Sequence, residues 1–292
     1  MVPRTFQYVA PSTVGETVAL LKKYGRDAKI LAGGMSLVPV MKLRLASPAY
    51  IIDINRLTGL QYLKESGGKL LIGALTRHHE LETSRLVHEK APLLGETAFW
   101  IGDPQVRNRG TIGGSLTHSD PSGDWGATIL AMRSEMKIKG PSRERTVKSD
   151  DFFLDTFTTV VKPTELLTEI SVPIPPSRSG GAYQKLERKA GDFATVGVAV
   201  QLTIDSKDNA RRVGIGLTAL GPTNLRGKKA EAALMGRVVN DRTIDEAAAA
   251  ASEDAQPMSD PLRASVEYRR EMARVFTKRA LLVALSRAKG SR

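Results

Sequence analysis

The chain opens with a helical rhythm. Val14, Val18 and Leu21 fall on one face of "STVGETVALLKKYG" (12–25), Thr13 and Glu16 have the spacing of a capping box, and Gly25 suits a C-terminal cap. The pattern then changes period. "AKIL" (28–31) and "PAYIIDI" (48–54) are short apolar runs that predict buried strands, and "LQYLKESGGKLLIGAL" (60–75) predicts a hairpin turning at Gly67-Gly68. The first 55 residues thus read as a small helix-and-strand unit, with a glycine loop leaving its first strand. Residues 76–105 are mixed and mainly helical. The stretch "DPQVRNRGTIGGSLTHSDPSGDW" (103–125) is so rich in Gly, Asp, Ser and Pro that it predicts a long functional loop.

Regular structure resumes in "ATILAMRSEMKIKG" and "ELLTEISVPIP", and "PIPPSRSGG" (173–181) has the composition of a domain boundary. Beyond it, "AYQKLERKAGDFATVGVAVQLTID" (182–205) and "RRVGIGLTALG" (211–221) predict strands. Helices dominate from "NLRGKKAEAALMG" onward, and Met272, Val275, Phe276, Ala280 and Val283 lie at helical spacing in 265–288.

Composition narrows the classes. The 292 residues are enough for two or three domains, and 41% hydrophobic with 25% charged residues is ordinary for a globular protein. No apolar run reaches the length of a membrane span, and "MVPRTFQYVA" lacks the regions of a signal peptide, so a cytoplasmic protein is expected. The net charge of +12 raises nucleic acid as a partner. The basic residues are spread along the chain, however, and 5% aromatics leave little to stack on bases, so a solvated surface, or docking on an acidic partner protein, is preferred to nucleic acid. There are no cysteines, which excludes disulfides, thiolate nucleophiles and cysteine-ligated iron–sulfur clusters on this chain. The four histidines, His78, His79, His88 and His118, have no metal-ligand spacing, and no zinc site is expected.

The candidate chemistry lies in two doubled glycines. "LAGGMS" (31–36) and "GTIGGS" (110–115) match neither the P-loop nor the G-x-G-x-x-G pattern. Glycines following a strand let consecutive N–H groups face outward into an anion-binding concavity, and Ser36, Thr111 and Ser115 add hydroxyls. Two such loops suit a ligand with two linked phosphates; two unrelated tight turns are the plain alternative. "GIG" (214–216) precedes no helix and reads as a packing feature of a sheet. No nucleophile–base pair or carboxylate pair stands out, as fits a protein whose chemistry belongs to a cofactor.

Three motifs agree in order and spacing: "LAGGMSLVPVMKLRLASPAYIIDINRL" (31–57), "IGDPQVRNRGTIGGSLTHSDPSGDW" (101–125) and "YQKLERKAGDFATVGVAV" (183–200). Over essentially the whole chain the sequence resembles the FAD-binding medium subunits of molybdenum hydroxylases, of the aerobic carbon monoxide dehydrogenase type. The resemblance implies an α+β fold: a two-lobed FAD domain of the vanillyl-alcohol-oxidase (PCMH) type over 1–176, with lobes of about 1–55 and 56–176. A C-terminal domain of antiparallel sheet plus helices would span 177–292. It further implies that Ala32, Gly33, Gly34, Met35 and Ser36 wrap the FAD pyrophosphate together with Thr111, Ile112, Gly113, Gly114 and Ser115. Asp124 would accept bonds from ribityl or ribose hydroxyls, Ile101 would lie against the flavin ring, and Lys185 and Phe193 would lie nearby.

The partners implied are a large subunit with the molybdenum cofactor and a small subunit with two [2Fe-2S] clusters, in a dimer of heterotrimers. Electrons would pass to an external acceptor, quinone in preference to NAD, and the complex would be cytoplasmic or peripheral at the inner membrane face. Two residues depart from the family pattern: Met35 stands where many relatives have His or Gln, and Phe193 where relatives often have a tyrosine. On the residues alone, a nucleotide-binding regulatory module without redox activity remains the alternative.

Overall fold

The computed structural model describes residues 2–260 and 263–290; the ends of the expected domains at residues 1, 291 and 292 lie outside them. The first lobe is a three-stranded parallel sheet. Strands β1 (Gln7–Val9) and β2 (Ala28–Leu31) both pair with β3 (Tyr50–Asp53), which lies between them. Parallel pairing needs crossovers, and α1 (Val14–Tyr24) and α2 (Leu37–Lys42) lie on them. The Thr13 hydroxyl caps α1 by accepting from the Glu16 N–H at 3.0 Å. The glycine loop therefore leaves the second strand; β1 is too short and too exposed to announce itself in the hydrophobic pattern.

The second lobe is built on a five-stranded antiparallel sheet. Its edge hairpin, β4 (Leu63–Ser66) and β5 (Lys69–Gly73), turns at Gly67-Gly68, both with positive φ (59° and 72°), as a two-residue hairpin loop requires. Helices α3 (His78–Thr83), α4 (Arg85–Lys90) and α5 (Pro92–Phe99) follow, with Leu81, Val87, Leu93 and Leu94 in one core with Leu70 and Ile72 of the sheet. The stretch 103–125 is not a loop: it forms α6 (Pro104–Arg109) and α7 (Ile112–His118) and begins α8 (Asp124–Ala131). The residues that suggested a loop are caps. Asp103 accepts from the Val106 N–H at 2.8 Å with Pro104 at the first helical position, Thr111 accepts from Gly114 N–H at 3.1 Å, and Ser119 ends α7 in the left-handed region. Strands β6 (Glu135–Lys139), β7 (Glu144–Lys148), the small β8–β9 hairpin (Phe153–Asp155, Thr158–Thr159) and β10 (Leu166–Pro173) complete the lobe, in the order β4-β5-β10-β6-β7 for the main sheet.

The C-terminal part is an antiparallel sheet, β11 (Ser179–Leu186), β12 (Val196–Ile204), β13 (Ala210–Thr218) and β14 (Leu225–Arg226), with α9 (Lys228–Leu234), α10 (Asp241–Asp254) and α11 (Val266–Ala288). Alternation along the strands divides its two faces. Val198, Val200, Ile215 and Leu217 pack under α10 and α11, where Phe276 and Ala280 are buried and Met272, Val275 and Val283 flank them. Tyr183 and Ala199 point the other way, into the core of the second lobe. Gly214 and Gly216 are on that face too, and a Cβ on either would collide with the carbonyl of Ala131 or Ala127 in α8. The "GIG" glycines are thus a packing feature, letting a helix of one part seat directly on a sheet of the other.

Candidate functional site

A cleft of about 1320 Å³ opens where the first lobe, the second lobe and the β11–β12 loop meet. It exceeds the ~300–1,000 Å³ of sites for drug-sized ligands and has room for an extended dinucleotide. The first glycine loop forms one wall. Gly33 is buried, its backbone against the Arg109 carbonyl and the Gly110 Cα, so that any side chain there would collide with them. Gly34 has φ +78°, a conformation that costs an L-residue about 1–2 kcal/mol. This geometry leaves the N–H groups of Gly33, Gly34, Met35 and Ser36 without protein acceptors among the described residues. The Ser36 hydroxyl is likewise without a protein partner, and Met35 is exposed at the cleft.

The second glycine loop has the same composition and a different construction. Ile112 N–H donates to Thr76 O (3.1 Å), Gly113 N–H to Ala74 O (2.9 Å), Gly114 N–H to the Thr111 hydroxyl, and Ser115 N–H to Thr111 O (3.0 Å). Two of its amides fasten α7 to the turn that follows β5, and two are spent on the Thr111 cap of α7 itself. A Cβ on Gly113 would lie 2.6 Å from the Cβ and carbonyl oxygen of Ala74. What it presents to the cleft is the Gly113–Gly114 backbone at close range, the Ser115 hydroxyl, which has no protein partner among the described residues, and Thr111. The Ile112 side chain does not face the cleft; it is fully buried in the core with Leu116 and Trp125.

His78, not anticipated from sequence, also lines the cleft. It is buried, its ring accepts from the Trp125 indole N–H at Nδ1 (3.1 Å), and its backbone N–H donates to Gly110 O. Burial and the neighbouring Arg77 and Arg107 guanidinium groups push its pKa down to about 3, so the ring is neutral with its proton on Nε2. Only a sequence signal such as a His on an apolar stripe could have marked it, and "RHHE" carries none.

Asp124 begins α8, lines the cleft and is buried. Its carboxylate accepts from Tyr183 OH at 2.6 Å and from Lys185 Nζ at 3.2 Å. Burial pushes the Asp124 carboxyl above its ordinary range, against the pull of Lys185 and the Tyr183 hydroxyl, and pushes the Tyr183 hydroxyl well up. Lys185 does not reach the cleft: its side chain is fully enclosed, donating to Trp100 O at 2.9 Å and lying 3.4 Å from Glu187. The pair ties the second lobe to β11. Ile101 lines the cleft on a turn held by Arg107, which donates to the carbonyls of Phe99, Ile101 and Gly102 and to Glu82. Phe193, on the β11–β12 loop, lines the same end and is 46% exposed, so a large part of its ring is free to meet a ligand. That loop seats on the same turn through Gly191, whose φ is +81° and where a Cβ would press on the Gly102 carbonyl at 3.1 Å.

The residues suit a dinucleotide: a row of free amides, two serine hydroxyls and an apolar end in one cleft. The family described as FAD binding domain in molybdopterin dehydrogenase matches residues 4–175, and the CO dehydrogenase flavoprotein C-terminal domain matches residues 181–284. The chain is similar to the carbon monoxide dehydrogenase medium chain of Hydrogenophaga pseudoflava, with 44% identity over 98% of this chain and 99% of that one. It is also similar to the alpha subunit of the 6-hydroxypseudooxynicotine dehydrogenase complex of Paenarthrobacter nicotinovorans, with 37% identity over 99% and 97% of the two chains. Among solved structures, the carbon monoxide dehydrogenase of Hydrogenophaga pseudoflava that lacks the Mo-pyranopterin moiety superposes with a TM-score of 0.96, at 45% identity over 98% of this chain and 99% of that one. None of these is a regulatory module without redox activity. The chain belongs to the FAD-binding medium subunits of the molybdenum hydroxylases, of the carbon monoxide dehydrogenase type.

Proposed function

We propose that the chain is the electron-transfer subunit of a molybdenum-containing dehydrogenase, binding FAD with its pyrophosphate between the two glycine loops. The observation that carries this is the row of unpartnered amides from Gly33 to Ser36, in one cleft with the Ser36 and Ser115 hydroxyls. Bound FAD would supply the redox chemistry, accepting electrons from iron–sulfur clusters and releasing them in pairs. The protein's part is to bind and orient. The first loop donates to phosphate oxygens. The second brings bare backbone and one hydroxyl close to them. Ile101 and Phe193 give the ring system an apolar seat, and Asp124 accepts from cofactor hydroxyls. Lys185 acts through Asp124, holding its carboxylate in place.

Because the chain has no cysteine, the clusters belong to a second, small subunit and the molybdenum cofactor to a large one. We take the assembly to be a dimer of such heterotrimers, passing electrons to a quinone, in the cytoplasm or at the inner face of the membrane, although among the described residues no helix is long and apolar enough to cross it. The division between FAD domain and C-terminal domain is placed at 176/177, in the segment between β10 and β11.

The test is FAD titration of the apoprotein, read by flavin absorbance near ~450 nm. Ser36→Ala and Ser115→Ala remove one donor each without adding bulk. Each should weaken FAD about 10-fold, the lower end expected for a hydrogen bond to a charged group, with unchanged folding. Wild-type affinity in the double variant refutes the placement. Co-expression with the neighbouring subunits and native mass measurement tests the assembly; a chain that stays alone refutes it. Reduced complex that donates to NAD and not to a quinone overturns the acceptor.

A further inference from the structure

We propose that Asn55 and Arg77 are positioning residues that set the separation of the two glycine loops and so shape the pyrophosphate seat. The inference rests on the reading that these loops hold FAD, and deepens it.

The two loops meet backbone to backbone. Gly33 lies against the Arg109 carbonyl and Gly110 Cα. This close approach leaves two carbonyls in need of donors, Ala32 O on the first loop and Arg109 O on the approach to the second. Asn55 follows β3 and donates from Nδ2 to Ala32 O at 2.8 Å. Arg77 donates through one terminal nitrogen to Arg109 O and through the other to Asn55 Oδ1 at 2.8 Å. The chain Ala32–Asn55–Arg77–Arg109 therefore spans from one loop to the other through side chains alone.

Each residue type is required. A guanidinium only donates, so the Asn55 oxygen must face Arg77 and its amino group must face Ala32. Aspartate could accept from Arg77 but could not donate to Ala32 O. Lysine carries a single nitrogen in place of the planar fork that reaches two acceptors in fixed directions. Both ends of the chain are anchored. Asn55 donates its backbone N–H (2.9 Å) and Nδ2 (2.6 Å) to Asp53, which also accepts from Tyr8 OH at 2.7 Å. Arg77 starts α3, its N–H donates to Glu80 at 2.7 Å, and it pairs with Thr111 in an isolated antiparallel bridge. Among the described residues the N–H groups of Gly33 to Ser36 have no protein acceptor; the loop's own backbone bonds are those that Gly34 O and Ser36 O accept from the start of α2, and toward the second loop the brace fixes its position.

The test measures FAD affinity and apoprotein stability separately. Apoprotein of Arg77→Ala, Asn55→Ala and the double variant is titrated with FAD, and each is unfolded in urea without FAD. Each single variant should bind FAD about 10- to 100-fold more weakly. The double variant should be no weaker than about the worse single one, because one chain is broken only once. Losses that multiply overturn the coupling. Lower apoprotein stability with unchanged affinity of the folded fraction assigns the pair a merely structural role and overturns the proposal. If an alanine variant does not fold, Asn55→Asp and Arg77→Lys replace it, each keeping one contact of the chain, with the same outcomes expected and excluded. Wild-type affinity in the brace variants, with Ser36→Ala and Ser115→Ala impaired, overturns the brace and leaves the FAD site standing. Wild-type affinity in all four variants refutes the site itself.

Discussion

The two glycine loops are near-copies in sequence and opposites in construction. In "AGGMS" the amides are free and the conformation depends on a positive φ at Gly34 and on contacts made by other elements. In "TIGGS" the amides are spent, two on the turn after β5 and two on the start of α7, and glycine is required at 113 because Ala74 leaves no space. One pair of glycines keeps backbone donors free at the cleft; the other serves close packing and presents to the cleft only what remains. Similar composition thus does not imply similar use of the backbone, because each N–H has one proton to give.

The largest expected effect separates the loops by stability. Gly113→Val should destabilise the apoprotein by about 3 kcal/mol or more, since its Cβ meets backbone that cannot retreat. Urea midpoints measure this, and a loss under about 1 kcal/mol would mean that the second loop is not packed as described.

Acid should find the second loop next. His78 packs on Gly110, and it stays neutral in the fold down to a pKa of about 3, against 6.5 when unfolded. The unfolded chain therefore binds a proton that the folded one refuses. Stability is present above pH 6.5 and is lost as the pH falls from there toward 3. Between pH 7.5 and 5 this amounts to about 2 kcal/mol. Replacing the ring by His78→Gln, whose oxygen can still accept from Trp125, should remove that share of the pH dependence. Equal slopes in wild type and variant would show that His78 titrates normally.

A smaller effect is expected at Gly34→Ala, about 1–2 kcal/mol from forcing an L-residue to φ +78°, with Leu31 and Val38 each 3.2 Å from the new Cβ. Its loss of FAD should exceed that of any variant of equal stability elsewhere, because the amide row turns with the backbone; parity with a control such as Gly25→Ala would break the comparison.

The smallest effect is a gain. Met35→Gln places a polar group at the cleft mouth where this chain has a thioether, and one added neutral hydrogen bond should tighten FAD by about 2- to 10-fold. Unchanged affinity would show that the position of Met35 does not reach the cofactor.

Much of this was legible from residues. The strands 28–31 and 50–53, the hairpin at Gly67-Gly68, the capped helix after Thr13 and the packing role of "GIG" follow from period, cap chemistry and the absence of Cβ, all local properties. So do the absence of cysteine chemistry and the importance of the two glycine pairs. The family resemblance added FAD and the twelve anticipated residues that do gather at one cleft. Local composition misled over 103–125, because Asp103, Gly110, Thr111 and Ser119 serve as helix caps, and short helices made mostly of ends have the composition of loops.

The remaining features were decided by tertiary structure, for one physical reason: a polar group's role depends on whether its partner is already present. Lys185 reads as an exposed strand lysine until Asp124 and the Trp100 carbonyl, from two other stretches, join Glu187 in enclosing its ammonium. His78 resists protonation in acid only because the fold buries it and sets two arginines beside it, with the Trp125 indole donating to its Nδ1. Asn55 and Arg77 look like ordinary polar residues after a strand and before a helix. Only the folding of two glycine loops against each other leaves the two carbonyls that make those side chains a brace. The sequence by itself determined which backbone segments could come close to a ligand; the fold decided which of their hydrogen bonds were still unmade when they got there.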